Sequence, residues 1–193
     1  MPCGRPRWAE ADYNGSSGYA PEARYVSSPG GKGFDMLYDN ILVPYDGSLS
    51  ARAALREAAR FAREDPGLTL RVVQIIDVEP RVAALLDGRV LGERSVPSQE
   101  LAQLHERVVD EADRTLHKQI DGVLHGLMNR IVIEFLEETA PGPQIVSYAR
   151  DNGCDLIVMG SRGLGALRGM LGSVSNYVLR EAEMPVMVVK NAD

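Results

Sequence analysis

The chain has 193 residues, enough for one domain that hides roughly 70% of its unfolded surface on folding. With 27 acidic against 21 basic side chains its formal charge is −6, a balance that disfavours non-specific attraction to nucleic acid or anionic lipid. Cys3 and Cys154 have no CxxC or Cys/His partner at metal spacing, so neither a disulfide framework nor a zinc module is indicated, and both read as free thiols of a reducing compartment.

The first 18 residues contain no apolar run, and no stretch approaches the ~20 apolar residues of a membrane span. Cytoplasmic residence, with no membrane or nucleic-acid partner, is the expectation. Residues 1–35 are rich in Gly, Pro and Ser without apolar period, which predicts a flexible N-terminal extension. Met36 directly precedes the first strand signal, so a chain starting there is an alternative to one starting at Met1.

From Tyr38 onward short apolar runs alternate with helical patterns, which predicts βαβ units and a parallel sheet over a domain at 36–193. The strands expected are Asn40–Pro44, Leu70–Ile76, Arg130–Leu136, Leu156–Met159 and Val186–Val189, near-continuous in Val, Ile and Leu as strands covered on both faces should be. A first helix is expected over Ser50–Glu64, with Ala54, Leu55, Ala58, Phe61 and Ala62 on one face. Residues 79–97 read as a loop. A long helix over 98–127 carries the stripe Leu101, Leu104, Val108, Ala112, Leu116, Ile120, Val123 and Leu127. A third helix starts at Pro143 and stops at Gly153, and a last one runs from Ser173 to Glu181. The fold class is thus α/β: an open, doubly wound, five-stranded parallel sheet with helices on both faces, Rossmann-like.

In such a sheet a ligand sits beyond the carboxyl ends of the strands, where the strand order reverses. The first strand is followed by Pro44-Tyr45-Asp46-Gly47-Ser48 and the fourth by Gly160-Ser161-Arg162-Gly163-Leu164-Gly165. If the first three strands run one way and the fourth crosses to the other side of the first, these loops become neighbours. Asp46 then faces glycines that let backbone N–H groups approach phosphate oxygens. Gly172-Ser173-Val174-Ser175 opens the last helix, whose free N–H groups and positive dipole end also favour an anion.

YDNILVPYDGS at 38–48 and MGSRGLGALRGMLGSVSNYV at 159–178 resemble the universal stress proteins, a likeness spanning roughly residues 36–190. In nucleotide-binding members the signature is Gly, two residues, Gly, nine residues, then Gly with Ser or Thr; here Gly160, Gly163, Gly172 and Ser173 supply it, with eight residues between Gly163 and Gly172. The resemblance implies ATP, with Mg²⁺, as ligand. It implies that Pro44, Asp46 and Ile75 line the adenosine, that Met159 and Gly160 flank it, and that Gly163, Gly172, Ser173, Val174 and Ser175 hold phosphates.

Plainer readings exist for each piece. Asp46 alone fits a turn or helix cap, Ser173 a helix cap, and the glycines close packing of loop on sheet. Arg162 and Arg168 fit either phosphate neutralisation or a solvated surface. Competing motifs fail: Ser-Pro-Gly-Gly-Lys-Gly at 28–33 lacks the Ser/Thr and upstream glycine of a P-loop, and Gly163, Gly165 and Gly169 have the wrong last spacing for a dinucleotide fingerprint. Residues 159–163 miss the first glycine of a nucleophile elbow. His105, His117 and His125 all fall on the long helix, where a solvated face is the simpler reading than a metal site.

A nucleotide-binding regulatory module that changes partners with its ligand state, in response to stress, is the leading expectation. A family member that has lost nucleotide binding and acts as a dimeric interaction protein is the alternative. No general base stands beside an activated nucleophile, so ATP turnover is expected to be slow and incidental. The last strand, at a sheet edge, is expected to pair with its twin in a homodimer.

Overall fold

The computed structural model describes residues 37–86, 97–163 and 171–190. The N-terminal extension expected over 1–35 lies outside them, as do Arg168 and the glycines at 165 and 169. Strands and helices alternate: β1 Asn40–Pro44, α1 Leu49–Glu64, β2 Thr69–Ile76, α2 Glu79–Leu85, α3 Ser98–Leu124, β3 Arg130–Glu137, α4 Pro141–Asp151, β4 Leu156–Gly160, α5 Ser173–Glu181 and β5 Val186–Val189. The strand order is β3-β2-β1-β4-β5, with every neighbouring pair parallel. This is the open doubly wound sheet expected, and each strand ends within one residue of its expected bounds.

Successive residues of a strand point to opposite faces, so a strand covered on both sides must be apolar throughout. β1 shows this: Ile41 and Val43 join one core cluster, Leu42 the other, and all three are fully buried. The first cluster takes Ala54, Leu55 and Ala58 of α1, Val82 of α2, and Val108, Leu116 and Ile120 of α3. The second takes Ile145, Tyr148 and Ala149 of α4 and Val178 of α5. The change of face between α3 and α4 accompanies the crossing from β3 to β4, and it opens the switch point between the carboxyl ends of β1 and β4.

Helix boundaries follow local chemistry. α1 begins one residue earlier than expected because Ser48 is its N-cap, its hydroxyl accepting from the Ala51 N–H at 3.1 Å. The loop expected over 79–97 is corrected in its first part. Glu79–Leu85 is helical, with Pro80 in the first turn and Val82 and Leu86 buried. α3 stops at Leu124 rather than 127, the chain turning at Gly126 with φ 79°. Its buried face is Val108, Val109, Ala112, Leu116, Ile120 and Leu124, and nothing before Val108 is buried, leaving Leu101 exposed. α4 starts at Pro141, two residues before the expected Pro143. A Cβ at its Gly142 would lie 2.8 Å from Cδ1 of Tyr177, so a glycine there lets α4 and α5 pack closely.

Candidate functional site

A cavity of about 650 Å³ opens at the switch point, within the size range of small-ligand pockets. All ten residues singled out from the sequence line it: Pro44, Asp46, Ile75, Met159, Gly160, Gly163, Gly172, Ser173, Val174 and Ser175. Arg162, weighed from the sequence for phosphate neutralisation, also lines it, and the structure adds Tyr45, Ala51, Val73, Pro141, Ile145 and Leu171. Val73 was legible as the period-two neighbour of Ile75 on the same face of β2. Pro141 and Ile145 form an i,i+4 pair on α4 that carries no ligand signal, because only the crossover brings α4 over the crevice.

The cavity is built from an apolar wall and a polar end. Pro44, Val73, Ile75, Ile145, Met159 and Val174 supply the wall. Among the described lining residues Asp46 is the acid and Arg162 the base. Asp46 Oδ1 accepts from the Ser48 N–H at 3.0 Å, which is the turn expected of it, while a Cβ on Gly163 would stand 2.8 Å from Asp46 Oδ2. The loops after β1 and β4 therefore meet across the crevice. Burial pushes the Tyr45 phenol above its ordinary value, so this side chain is neutral at physiological pH.

The glycines divide by role. A Cβ on Gly160 would fall 2.6 Å from Ser50 Oγ and 2.7 Å from the Ala51 nitrogen, so this residue lets α1 lie directly on the end of β4. Gly163 and Gly172 adjoin: a Cβ on Gly172 would be 3.6 Å from the Gly163 nitrogen and 3.3 Å from Arg162 Cα. The Gly172 N–H donates to the Ser161 carbonyl at 2.9 Å. The loop is closed at its base, so the eight-residue spacing does not part the two glycines.

Gly172, not Ser173, is the N-cap of α5, and no side chain caps it. The plainer reading of Ser173 as a cap is thus corrected. The first N–H groups of α5 have no acceptor within the helix, and Ser173, Val174 and Ser175 border the cavity. Ser175 is committed differently from what the resemblance implies. Its buried hydroxyl donates to the Gly160 carbonyl at 2.8 Å, which ties α5 to β4 and leaves its main-chain N–H as its contribution to a ligand. The start of α4 is also without a side-chain cap, but Pro141 and Pro143 have no N–H to offer, so α4 contributes wall rather than anion donors.

Among the described residues no group of three or more His, Cys, Asp or Glu is placed to hold a metal ion. On α3, His105 Nε2 meets Glu137 at 2.8 Å and His117 Nδ1 meets Asp113 at 3.3 Å. No described helix is long and apolar enough to cross a membrane.

Residues 37–190 match the sequence model of the universal stress protein family. The chain belongs to that family. Universal stress protein MJ0531 of Methanocaldococcus jannaschii is 33% identical over 155 residues, covering 80% of this chain and 83% of its own. Universal stress protein MJ0577 of the same organism is 30% identical over 162 residues, covering 80% and 96%. The solved structure of MJ0577 superposes with a TM-score of 0.60 at 26% identity, over 81% of this chain and 98% of that one. A universal stress protein from Archaeoglobus fulgidus, solved in complex with dAMP, gives a TM-score of 0.53 at 25% identity, over 80% of this chain and all of that one. Nucleotide binding thus occurs within the universal stress proteins that share this fold.

Proposed function

We propose that this universal stress protein binds an adenine nucleotide, ATP with Mg²⁺, in the switch-point cavity, and that ligand state governs its partners as a stress-response regulatory module. The observation that carries the reading is the juxtaposition of Gly163, Gly172 and the uncapped start of α5 at one end of an apolar cavity. The wall suits a base, Asp46 suits ribose or base hydroxyl and amino donors, and the free N–H groups with Arg162 suit phosphates. Mg²⁺ in such sites is held largely by the phosphates and water, with Asp46 the carboxylate at hand. The dAMP complex of the A. fulgidus relative supports the ligand class.

Calorimetric titration of ATP and Mg²⁺ into the wild type and Gly163→Val tests this. Among the described residues a Cβ at 163 meets only the end of the exposed Asp46 side chain, so the fold should survive while the valine intrudes on the ligand. Affinity should fall at least tenfold, the equivalent of about 1.4 kcal/mol. A wild type without ATP affinity below millimolar would overturn the reading.

We also propose a homodimer through β5, which lies at the sheet edge with all four residues half-buried. The carbonyls of Pro185 and Val189 bond to β4, so the alternation of a strand turns the N–H groups of Val186 and Val188 outward. An unpaired apolar edge invites a partner strand. Val188→Pro removes one outward donor without touching a bond to β4, and light scattering should show a shift towards monomer with ATP affinity retained. A wild type that is monomeric and soluble at micromolar concentration would count against the dimer.

A further inference from the structure

Two serines at the start of α1 grip the main chain of the glycine loop. The hydroxyls of Ser50 and Ser48 both donate to the Arg162 carbonyl, the latter at 3.2 Å, and the two hydroxyls lie 3.2 Å apart. Both side chains are buried, at 5% and 7% exposure. A hydroxyl has one proton to give, and Ser48 Oγ also accepts from the Ala51 N–H, so the cluster is internally satisfied with the Arg162 carbonyl as its terminal acceptor.

The consequence lies in the peptide unit that links Arg162 to Gly163. No peptide bond in the described chain is cis, and in a trans peptide the C=O and the following N–H point in opposite directions. With the Arg162 carbonyl held against α1, the Gly163 N–H must point away from α1. A Cβ on Gly172 would be 3.6 Å from the Gly163 nitrogen, and Gly172 is the N-cap of α5, so the uncapped start of that helix adjoins this peptide. Glycine imposes little preference on its own backbone, so this peptide has little intrinsic reason to hold one orientation. Turned over, it would present a carbonyl oxygen where an anion is to sit.

We propose that Ser48 and Ser50 are positioning residues for phosphate recognition: by holding the Arg162 carbonyl they aim the Gly163 N–H alongside those of α5, and so set the site's preference for phosphorylated over unphosphorylated adenosine. This rests on the nucleotide reading given above. Neither serine is among the residues lining the cavity, so their effect on a ligand runs through the Arg162–Gly163 peptide rather than through contact with the adenosine.

Ser50 is the cleaner position to vary, because Ser48 also caps α1. The affinities of ATP and of adenosine are measured by calorimetry for wild type and Ser50→Ala, with thermal unfolding of both. Ser50→Ala should lose roughly tenfold in ATP affinity, the usual effect of one good hydrogen bond, while adenosine affinity changes by less than about twofold and the variant stays folded. In the ¹⁵N–¹H spectrum of the ATP complex, the Gly163 amide should be the resonance most displaced by the substitution. Equal losses for ATP and adenosine, or an unchanged ATP affinity, would overturn the positioning role alone. A wild type that binds neither ligand would overturn the nucleotide reading and this inference with it.

Discussion

At the amino-terminal end of the sheet, side chains close onto the main chain; at the carboxyl-terminal end, the main chain is left facing a cavity. Asp155, before β4, accepts from the N–H groups of Asp39 at 2.7 Å and Asn40 at 3.1 Å, and Asn40 Nδ2 donates to the Asn152 carbonyl at 2.9 Å. Asn129, before β3, donates to the carbonyls of Asp65 and Leu68. Loops at that end use their polar side chains on one another. At the other end Gly163 and Gly172 border a cavity together with the uncapped first N–H groups of α5. At one end the polar side chains are spent on the loops themselves; at the other, serines fix the glycine loop while the first N–H groups of α5 face the cavity.

The largest effect expected comes where the second end depends on the first kind of packing. Gly160 is the point at which α1 meets β4, and a Cβ there would lie 2.6–2.7 Å from three atoms of Ser50 and Ala51, two of them main chain. Gly160→Ala should lower unfolding stability by about 3 kcal/mol, the upper range for overpacking, as read by urea unfolding. An unchanged midpoint would mean that α1 shifts freely on the sheet, and the cavity floor would then be far less fixed than these contacts indicate.

How far the sequence foretold this arrangement depends on the range of each signal. The strands were legible because a strand covered on both faces is apolar along its whole length, and the run NILVP or LIVM cannot be hidden. α2 was not, since its seven residues bury only Val82 and so carry almost no periodicity. The stripe expected on α3 included Leu101 because periodicity cannot tell where a helix outruns the sheet beneath it. The residues of the glycine motifs line the cavity, and their motif made them legible, whereas Pro141 and Ile145 reach it only through the crossover of α4. Least legible were the main-chain contacts: Ser50 and Arg162 are 112 positions apart, and nothing in either residue's type announces the other.

A paired substitution sharpens the contrast between the two ends. Asp155→Ala removes an acceptor shared by two N–H groups and should cost about 2 kcal/mol of stability, in the range for hydrogen bonds to a charged group, with ATP affinity unchanged. Asp46→Ala should do the reverse. Its carboxylate is exposed and makes one local bond, to the Ser48 N–H, so stability should move little while ATP binding weakens by about 1 kcal/mol. Urea unfolding and calorimetry on both variants give four numbers. If both variants lose stability and affinity together, the division between the ends fails.

The smallest effect expected tests whether the amino-terminal end is closed as tightly as its hydrogen bonds imply. Cys154 sits there beside Asp155, 5% exposed, with its N–H donating to the Ala149 carbonyl at 2.8 Å. Burial pushes its thiol from 9.0 up to about 11. The thiolate is the reactive form, and at about pH 8 a thiol with that value is ionised to only about 0.1%. Iodoacetamide should therefore leave Cys154 unmodified in the native protein and label it in urea, with peptide mapping separating it from Cys3. The same shift fixes a sign for stability: the folded state favours the protonated thiol, so this contribution is full below pH 9.0 and is lost as pH rises towards about 11. Native alkylation of Cys154 as fast as in urea would show that the amino-terminal end opens readily, and the contrast with the cavity would then be one of chemistry without a difference in rigidity.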